Sequence, residues 1–130
     1  GLGDGGAHVG IICDASFVTT LLTHWGRDRT RGDLIPLETL VKSQARDTAL
    51  AVGLSDRGLL APGMKADINL IDFAKLKLTM PEIVHDLPAG GARLQQRAEG
   101  YLASIVSGEV TYRDGEATGA LPGRLVRGAR

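Results

Sequence analysis

A single cysteine, Cys13, in 130 residues excludes a disulfide within the chain and makes a reducing compartment the simpler expectation. Aromatic residues are also scarce. With only Phe17, Trp25, Phe73, Tyr101 and Tyr112, the core is expected to consist of Leu, Val, Ile and Ala. Neither sign of charge prevails, because fifteen Lys plus Arg face fifteen Asp plus Glu. The resulting neutrality supplies no electrostatic footprint for nucleic acid or an anionic membrane, and neither is expected as a partner. No apolar run is long enough to span a bilayer, and the glycine-rich start lacks the basic-then-apolar pattern of a secretory leader. These absences predict a soluble, cytoplasmic protein. Because position 1 is Gly rather than Met, the chain is expected to be a processed product or a piece of a longer polypeptide.

What the sequence does contain is 43% hydrophobic residues, enough to exclude disorder, and eighteen glycines, which imply many turns. The length suits one core. The opening, Gly1-Leu2-Gly3-Asp4-Gly5-Gly6-Ala7-His8-Val9-Gly10, holds one acid among glycines, so the backbone can turn sharply while Asp4 is presented outward. A brief extended segment over 9–13 leads to a helix with Phe17, Leu21 and Trp25 on one face, Val18 and Leu22 beside them, and Asp14 or Ser16 as N-cap. Gly26 is expected to stop it, and Arg27 to Asp33 to form a basic surface loop. Pro36 then opens a second helix with Leu37, Leu40, Val41 and Gln44 inward, and Asp47 to Val52 a third, ended by Gly53.

Further on, Asp56-Arg57-Gly58 and Pro62-Gly63 read as turns around a short strand at Leu59 to Ala61, and Ala66 to Asp72 as another strand. The stretch 74–100, with Pro81, Pro88, Gly90 and Gly91, reads as a long irregular connection. Leu102 to Val106, Glu109 to Arg113 and Glu116 to Gly119 follow as strands, joined at Ser107-Gly108 and at Asp114-Gly115, a strong hairpin signal. A basic tail ends the chain. Helices followed by strands, without repeats, predict an α+β architecture rather than alternating α/β units.

Several motifs carry little. Gly1, Gly3 and Gly6 match dinucleotide-loop spacing but lack the preceding strand, and Arg31-Gly32-Asp33 is a chance tripeptide of a charged loop. Cys13, between Ile12 and Asp14, has no cation adjacent to activate it and is expected to be a small buried residue. His24, beside Trp25, is expected to pack or cap, and His85 to sit in solvent. His8, four residues after Asp4, is open between a site role and a structural hydrogen bond. For Asp4 itself, spacing favours a turn residue bonding its own backbone. The three histidines show no metal-binding spacing.

A resemblance changes that weighting for Asp4. GLGDGGAHVG, then LSDRGLLAPGMKADINLIDFAKL, then VSGEVTYRDGEATGALPGRLVR, in this order, resemble the carboxy-terminal part of the amidohydrolase superfamily, in particular its N-acyl-D-amino-acid deacylase (D-aminoacylase) branch. The resemblance implies that residues 1–58 are the last strand loop and helices of a (β/α)₈ metal-dependent hydrolase barrel. It implies that residues 59–130 are part of the flanking small β-sandwich. Asp4 would be the catalytic carboxylate at the end of the eighth barrel strand, contacting the metal and carrying a proton from its water to the leaving amine. His8 would be a substrate-binding candidate.

The remaining ligands of the zinc or other divalent metal would lie upstream, so the fragment alone is expected to hold no metal and to be inactive. The substrate implied is a small linear amide, an N-acyl-D-amino acid. Arg27, Arg29 and Arg31 face the choice between meeting a substrate carboxylate and forming a solvated loop, and the loop is favoured. The rival readings are a non-catalytic α+β interaction or assembly domain, and an amidohydrolase acting on cyclic amides. A severed barrel end would expose strand edges and apolar helix faces, so the isolated chain is expected to self-associate.

Overall fold

The computed structural model describes residue 10 and residues 14–126. The extended segment expected over 9–13, Cys13, Asp4 and His8 all fall outside the described residues, as does the end of the basic tail.

Two helical runs come first. The first, α1 (14–28), joins a 3₁₀ turn (Asp14–Ser16), one α turn (Phe17–Thr20) and a π-type stretch (Leu21–Asp28). It passes through Gly26 rather than stopping there, which is a correction to the local reading. A Cβ on Gly26 would lie 3.0 Å from Leu40 Cδ1 and 3.7 Å from Phe73 Cζ, so this glycine lets a second helix cross closely. Its buried side is another correction. Thr19 and Thr23 are buried, whereas Trp25 of the expected apolar face is exposed.

The second run, α2 (37–51), merges the two helices expected separately into consecutive α, π and α pieces (Leu37–Lys42, Ser43–Asp47, Thr48–Ala51). Leu40 and Ala49 are buried, but Leu37 and Val41 of the anticipated inward stripe are exposed. Gly53 ends the run at φ +77. The turn at 56–58 packs directly on α2, since a Cβ at Gly58 would come within 2.6 Å of the Ala45 carbonyl oxygen. Arg46 Nη1 reinforces that contact by donating to the carbonyls of Ser55 (3.0 Å) and Arg57 (2.8 Å). No strand forms at Leu59 to Ala61. Leu59 and Leu60 are exposed, and that stretch consists of bends with no strand beside it.

The remainder is antiparallel. β1 (Ile68–Ile71), β6 (Tyr101–Val106), β7 (Glu109–Arg113) and β8 (Glu116–Ala117) form one sheet in the order β1-β6-β7-β8. Its two hairpin turns, Ser107-Gly108 and Asp114-Gly115, place both central residues at positive φ, as the Asp-Gly pair predicted.

The stretch 74–100 is not irregular: it carries β2 (Lys77–Leu78), β3 (Glu82–Leu87), β4 (Gly91–Gln95) and β5 (Ala98–Glu99). β3 pairs with β4, and β2 with β5. The prolines that argued against strands stand just before β3 (Pro81) and in the turn after it (Pro88), where no ladder hydrogen bond is lost.

Among the described residues few apolar side chains are buried: Leu40, Ala49, Leu76 and Ala103, with Leu76 at 0% exposure. The chain exposes 9357 Å². No helix among the described residues is long and apolar enough to cross a membrane.

Candidate functional site

Asp4 and His8, the two site residues singled out in the sequence, lie outside the described residues, so their geometry is not drawn. Gly10 and the residues from Asp14 to Val126 are described. Gly10 is seated on β4: its carbonyl accepts the Leu94 amide at 2.6 Å, and a Cβ there would stand 3.2 Å from the Ala92 carbonyl oxygen. The next described contact is at Ser16, whose hydroxyl donates to Gln96 Oε1 at 2.5 Å. Gln96 is held from its other end, where Nε2 donates to the Thr79 carbonyl at 3.0 Å. Thr79 is tied back in turn, its amide donating to the Arg97 carbonyl at 3.0 Å.

α1 continues this contact with polar residues one or two turns apart. Thr19 Oγ1 and the Tyr101 hydroxyl share a hydrogen bond of 2.8 Å, and Thr23 Oγ1 donates to the Thr19 carbonyl at 3.0 Å. Arg27 completes the row. Its guanidinium donates to the carbonyls of Phe73, Ala74 (3.2 Å) and Leu76 (2.8 Å), forms a two-pronged pair with Asp28, and lies over the Phe73 ring. Ser16, Thr19, Thr23 and Arg27 recur at spacings of three and four, the period of one helix face. That polar period was the available signal for this face, and the apolar residues between drew attention away from it.

The arginine cluster is therefore divided rather than convergent. Arg27 spends its donors within the protein, and Arg29 stacks over Trp25 at 4.6 Å while donating to the carbonyls of Arg31 and Asp33. Neither is arranged to meet a substrate carboxylate. His24 is exposed and meets the Trp25 ring edge-on at 5.3 Å, in keeping with the packing role expected of it. His85 is exposed, with Nδ1 3.3 Å from the Gly90 carbonyl oxygen.

The described carboxylates with perturbed titration serve as structural anions. Hydrogen bonds from Arg27, Arg57 and Arg93 hold Asp28, Asp56 and Asp86, respectively, below the ordinary carboxylate range, and the three guanidinium groups are raised in return. At Asp67 burial pushes upward. Hydrogen bonds from Lys65 and the Ser107 amide, with the charges of Lys65 and Arg57, outweigh it, and the net shift is downward. Carboxylates stabilised as anions in this way are poor proton acceptors at neutral pH. Among the described residues no group of three or more His, Cys, Asp or Glu side chains is arranged to hold a metal ion. The metal implied by the resemblance therefore finds no donor set in them.

Over 41 residues, 32% of this chain and 9% of the relative, the sequence is 58% identical to a 5-methylthioadenosine/S-adenosylhomocysteine deaminase of Pelotomaculum thermopropionicum. The matched stretch is thus a small part of that relative's length. No solved structure gave a significant match. The profile of the amidohydrolase family matches residues 1–112, a span that takes in the glycine-rich opening, both helical runs and every strand through most of β7. The chain belongs to the amidohydrolase family.

Proposed function

We propose that this chain is the carboxy-terminal part of a metal-dependent hydrolase of linear amides, with N-acyl-D-amino acids as the substrate class and Asp4 as the proton carrier. The observation that supports it most is the family match beginning at residue 1, so that Asp4 and its glycines fall inside the matched span. Residues 1–58 are read as the end of a barrel and 59–130 as part of a flanking β domain. When bound, a divalent metal, zinc or another, supplies an attacking water of lowered pKa. No donor set for it is assembled among the described residues, and the step assigned to this chain is the proton transfer: the Asp4 carboxylate takes a proton and returns it to the departing amine. His8, four residues further on, contacts the substrate.

The test is Asp4→Asn in the full polypeptide. Turnover is expected to fall roughly a hundredfold to ten-thousandfold, the usual worth of a positioned acid–base group, with bound metal largely retained. Undiminished turnover would remove Asp4 from the mechanism. The 130-residue piece alone is expected to be inactive and to self-associate through its open helix faces and strand edges. Sedimentation as a compact monomer would oppose the latter.

A second reading is favoured by the deaminase relative: hydrolytic release of ammonia from a nucleoside-like substrate. Both reactions break a C–N bond with water. Assaying the full polypeptide with N-acyl-D-amino acids and with 5-methylthioadenosine, following free carboxylate in one case and ammonia in the other, separates the two.

A further inference from the structure

We propose that Asp67 is the pin of a charge-operated latch, through which the β6–β7 turn and the turn at 55–58, with α2 behind it, open as one unit rather than separately. The latch is independent of the functional reading. Asp67 gives one carboxylate oxygen to each side: Oδ1 accepts the Ser107 amide at 2.9 Å, while Oδ2 lies 2.9 Å from Lys65 Nζ and 3.9 Å from Arg57 Nη1. Arg57 is fastened in turn to Asp56, by Nε at 2.8 Å and Nη2 at 3.1 Å. One anion thus ties the hairpin turn to a stretch of chain forty positions before it.

Three features separate this latch from an ordinary cap on a hairpin turn. The backbone follows the same route as the side chains, because the Lys65 amide donates to the Asp56 carbonyl at 2.7 Å and the Gly108 amide to the Ala66 carbonyl at 2.9 Å. The far end is anchored in a helix. Arg46 on α2 holds the carbonyls of Ser55 and Arg57, and Gly58, at φ +79, sits so close that a Cβ would stand 2.8 Å from Arg46 Cα. The charged members are also partly covered, with 20%, 26% and 31% of the Arg57, Lys65 and Asp67 side chains exposed, so solvent ions screen them less than a surface pair. Lys65 and Arg57 both approach the same Asp67 oxygen. Without that anion two cations would share the space with only Asp56 to balance them, and their repulsion would push the site apart. In such a network each bond holds the next one in place, so loss at one end is felt at the other.

Amide hydrogen exchange of the chain, followed residue by residue by NMR, tests the latch. Asp67→Ala is expected to speed exchange at Ser107 and at Lys65 together, roughly tenfold or more. The Thr79 amide, bonded to the Arg97 carbonyl outside the latch, is expected to keep its parent rate. Asp67→Asn retains an acceptor for the Ser107 amide and removes the charge, and both amides are expected to speed in parallel but by less. Arg46→Met acts from the opposite end. It is expected to speed the Ser107 amide, although the bonds it removes end at Ser55 and Arg57. The proposal is overturned if Asp67→Asn speeds Lys65 and leaves Ser107 at the parent rate, or if Arg46→Met leaves Ser107 unchanged, because the contacts are then independent. Equal acceleration at Thr79 overturns it as well, since the opening is then that of the whole chain. Should Asp67→Ala fail to fold, the other two variants decide.

Discussion

α1 and α2 are of similar length and cross where Gly26 meets Leu40, yet they are held by different forces. α1 reaches the β half through Ser16, Thr19 and Arg27, bonded to Gln96, Tyr101 and the Phe73 to Leu76 carbonyls, while Thr23 donates to the Thr19 carbonyl within the helix. α2 contributes Leu40 and Ala49 to the core, leaves Leu37, Val41 and Leu50 open, and is bonded through Arg46 to the turn that follows it in the chain rather than to the strands. The bonds that leave the helix fix one register and orientation, because a shift of one residue would break them together. Apolar contact fixes proximity and tolerates sliding. The first helix is thus the one whose position is specified bond by bond.

The largest effect that would sharpen this contrast is expected where the two halves share a core. Leu76 is wholly enclosed, and the Arg27 guanidinium caps its carbonyl. Leu76→Ala is expected to cost roughly 3 kcal/mol, the transfer of the lost methyl groups plus the cavity left behind. Urea unfolding of the chain, followed through its single tryptophan, Trp25, checks this. A change below about 1 kcal/mol would mean that the site collapses freely and that polar bonds alone join the halves.

Next in size is the crossing point. Gly26→Val places branched carbons against Leu40, which is only 3% exposed, and is expected to destabilise by roughly 2 kcal/mol through overpacking. Gly26→Ala is the sharper probe, because relief of the helical glycine penalty, about 1 kcal/mol, opposes a milder crowding of a movable Leu side chain. A net gain in the urea midpoint for Ala together with a loss for Val is the expected pattern. Two losses of equal size would instead assign Gly26 a conformational role.

Gly26 also marks where local reading of the sequence reaches its limit. A glycine after Phe17, Leu21 and Trp25 satisfies the rule for a helix stop, and nothing within ten residues reveals that Leu40 will pass beside it. The same holds for 74–100. Pro81, Pro88 and the two glycines spell a loop, but Pro81 precedes β3 and Pro88, Gly90 and Gly91 stand at its turn or just beyond, so the pairing of β3 with β4 survives them. By contrast, β6, β7 and β8 were legible because their turns are encoded in adjacent residues, Ser107-Gly108 and Asp114-Gly115. Of the candidate site, Asp4 was reached by resemblance, since its glycines alone spell a turn equally well. Gln96 had no local signal at all, because its partner is eighty residues distant.

A smaller, pH-dependent effect tests whether polar clasps matter away from α1. Asp67 receives the Ser107 amide at 2.9 Å and Lys65 Nζ at 2.9 Å, and its pKa is lowered in the folded state. A lowered folded pKa stabilises the fold above the unfolded value, about 3.9 for Asp, and that contribution is lost as pH falls through the folded pKa. The chain is therefore expected to lose stability below about pH 4, and Asp67→Asn to be less stable at neutral pH with a flatter acid limb. An unchanged acid limb in Asp67→Asn would assign the acid sensitivity to the Asp28, Asp56 and Asp86 pairs instead.

The smallest effect carries the most information about α2. Val41 is 49% exposed, and Val41→Ser in the 130-residue chain is expected to shift stability by less than about 0.5 kcal/mol. If the chain is part of a longer polypeptide, as proposed, the same substitution there is expected to cost about 1–3 kcal/mol, because an apolar helix face in a larger fold needs a partner to cover it. A small effect in both settings would leave Leu37 and Val41 as ordinary surface residues. It would also mean that α2, unlike α1, is held by its inner side alone, and the contrast between the two helices would then belong to the whole protein.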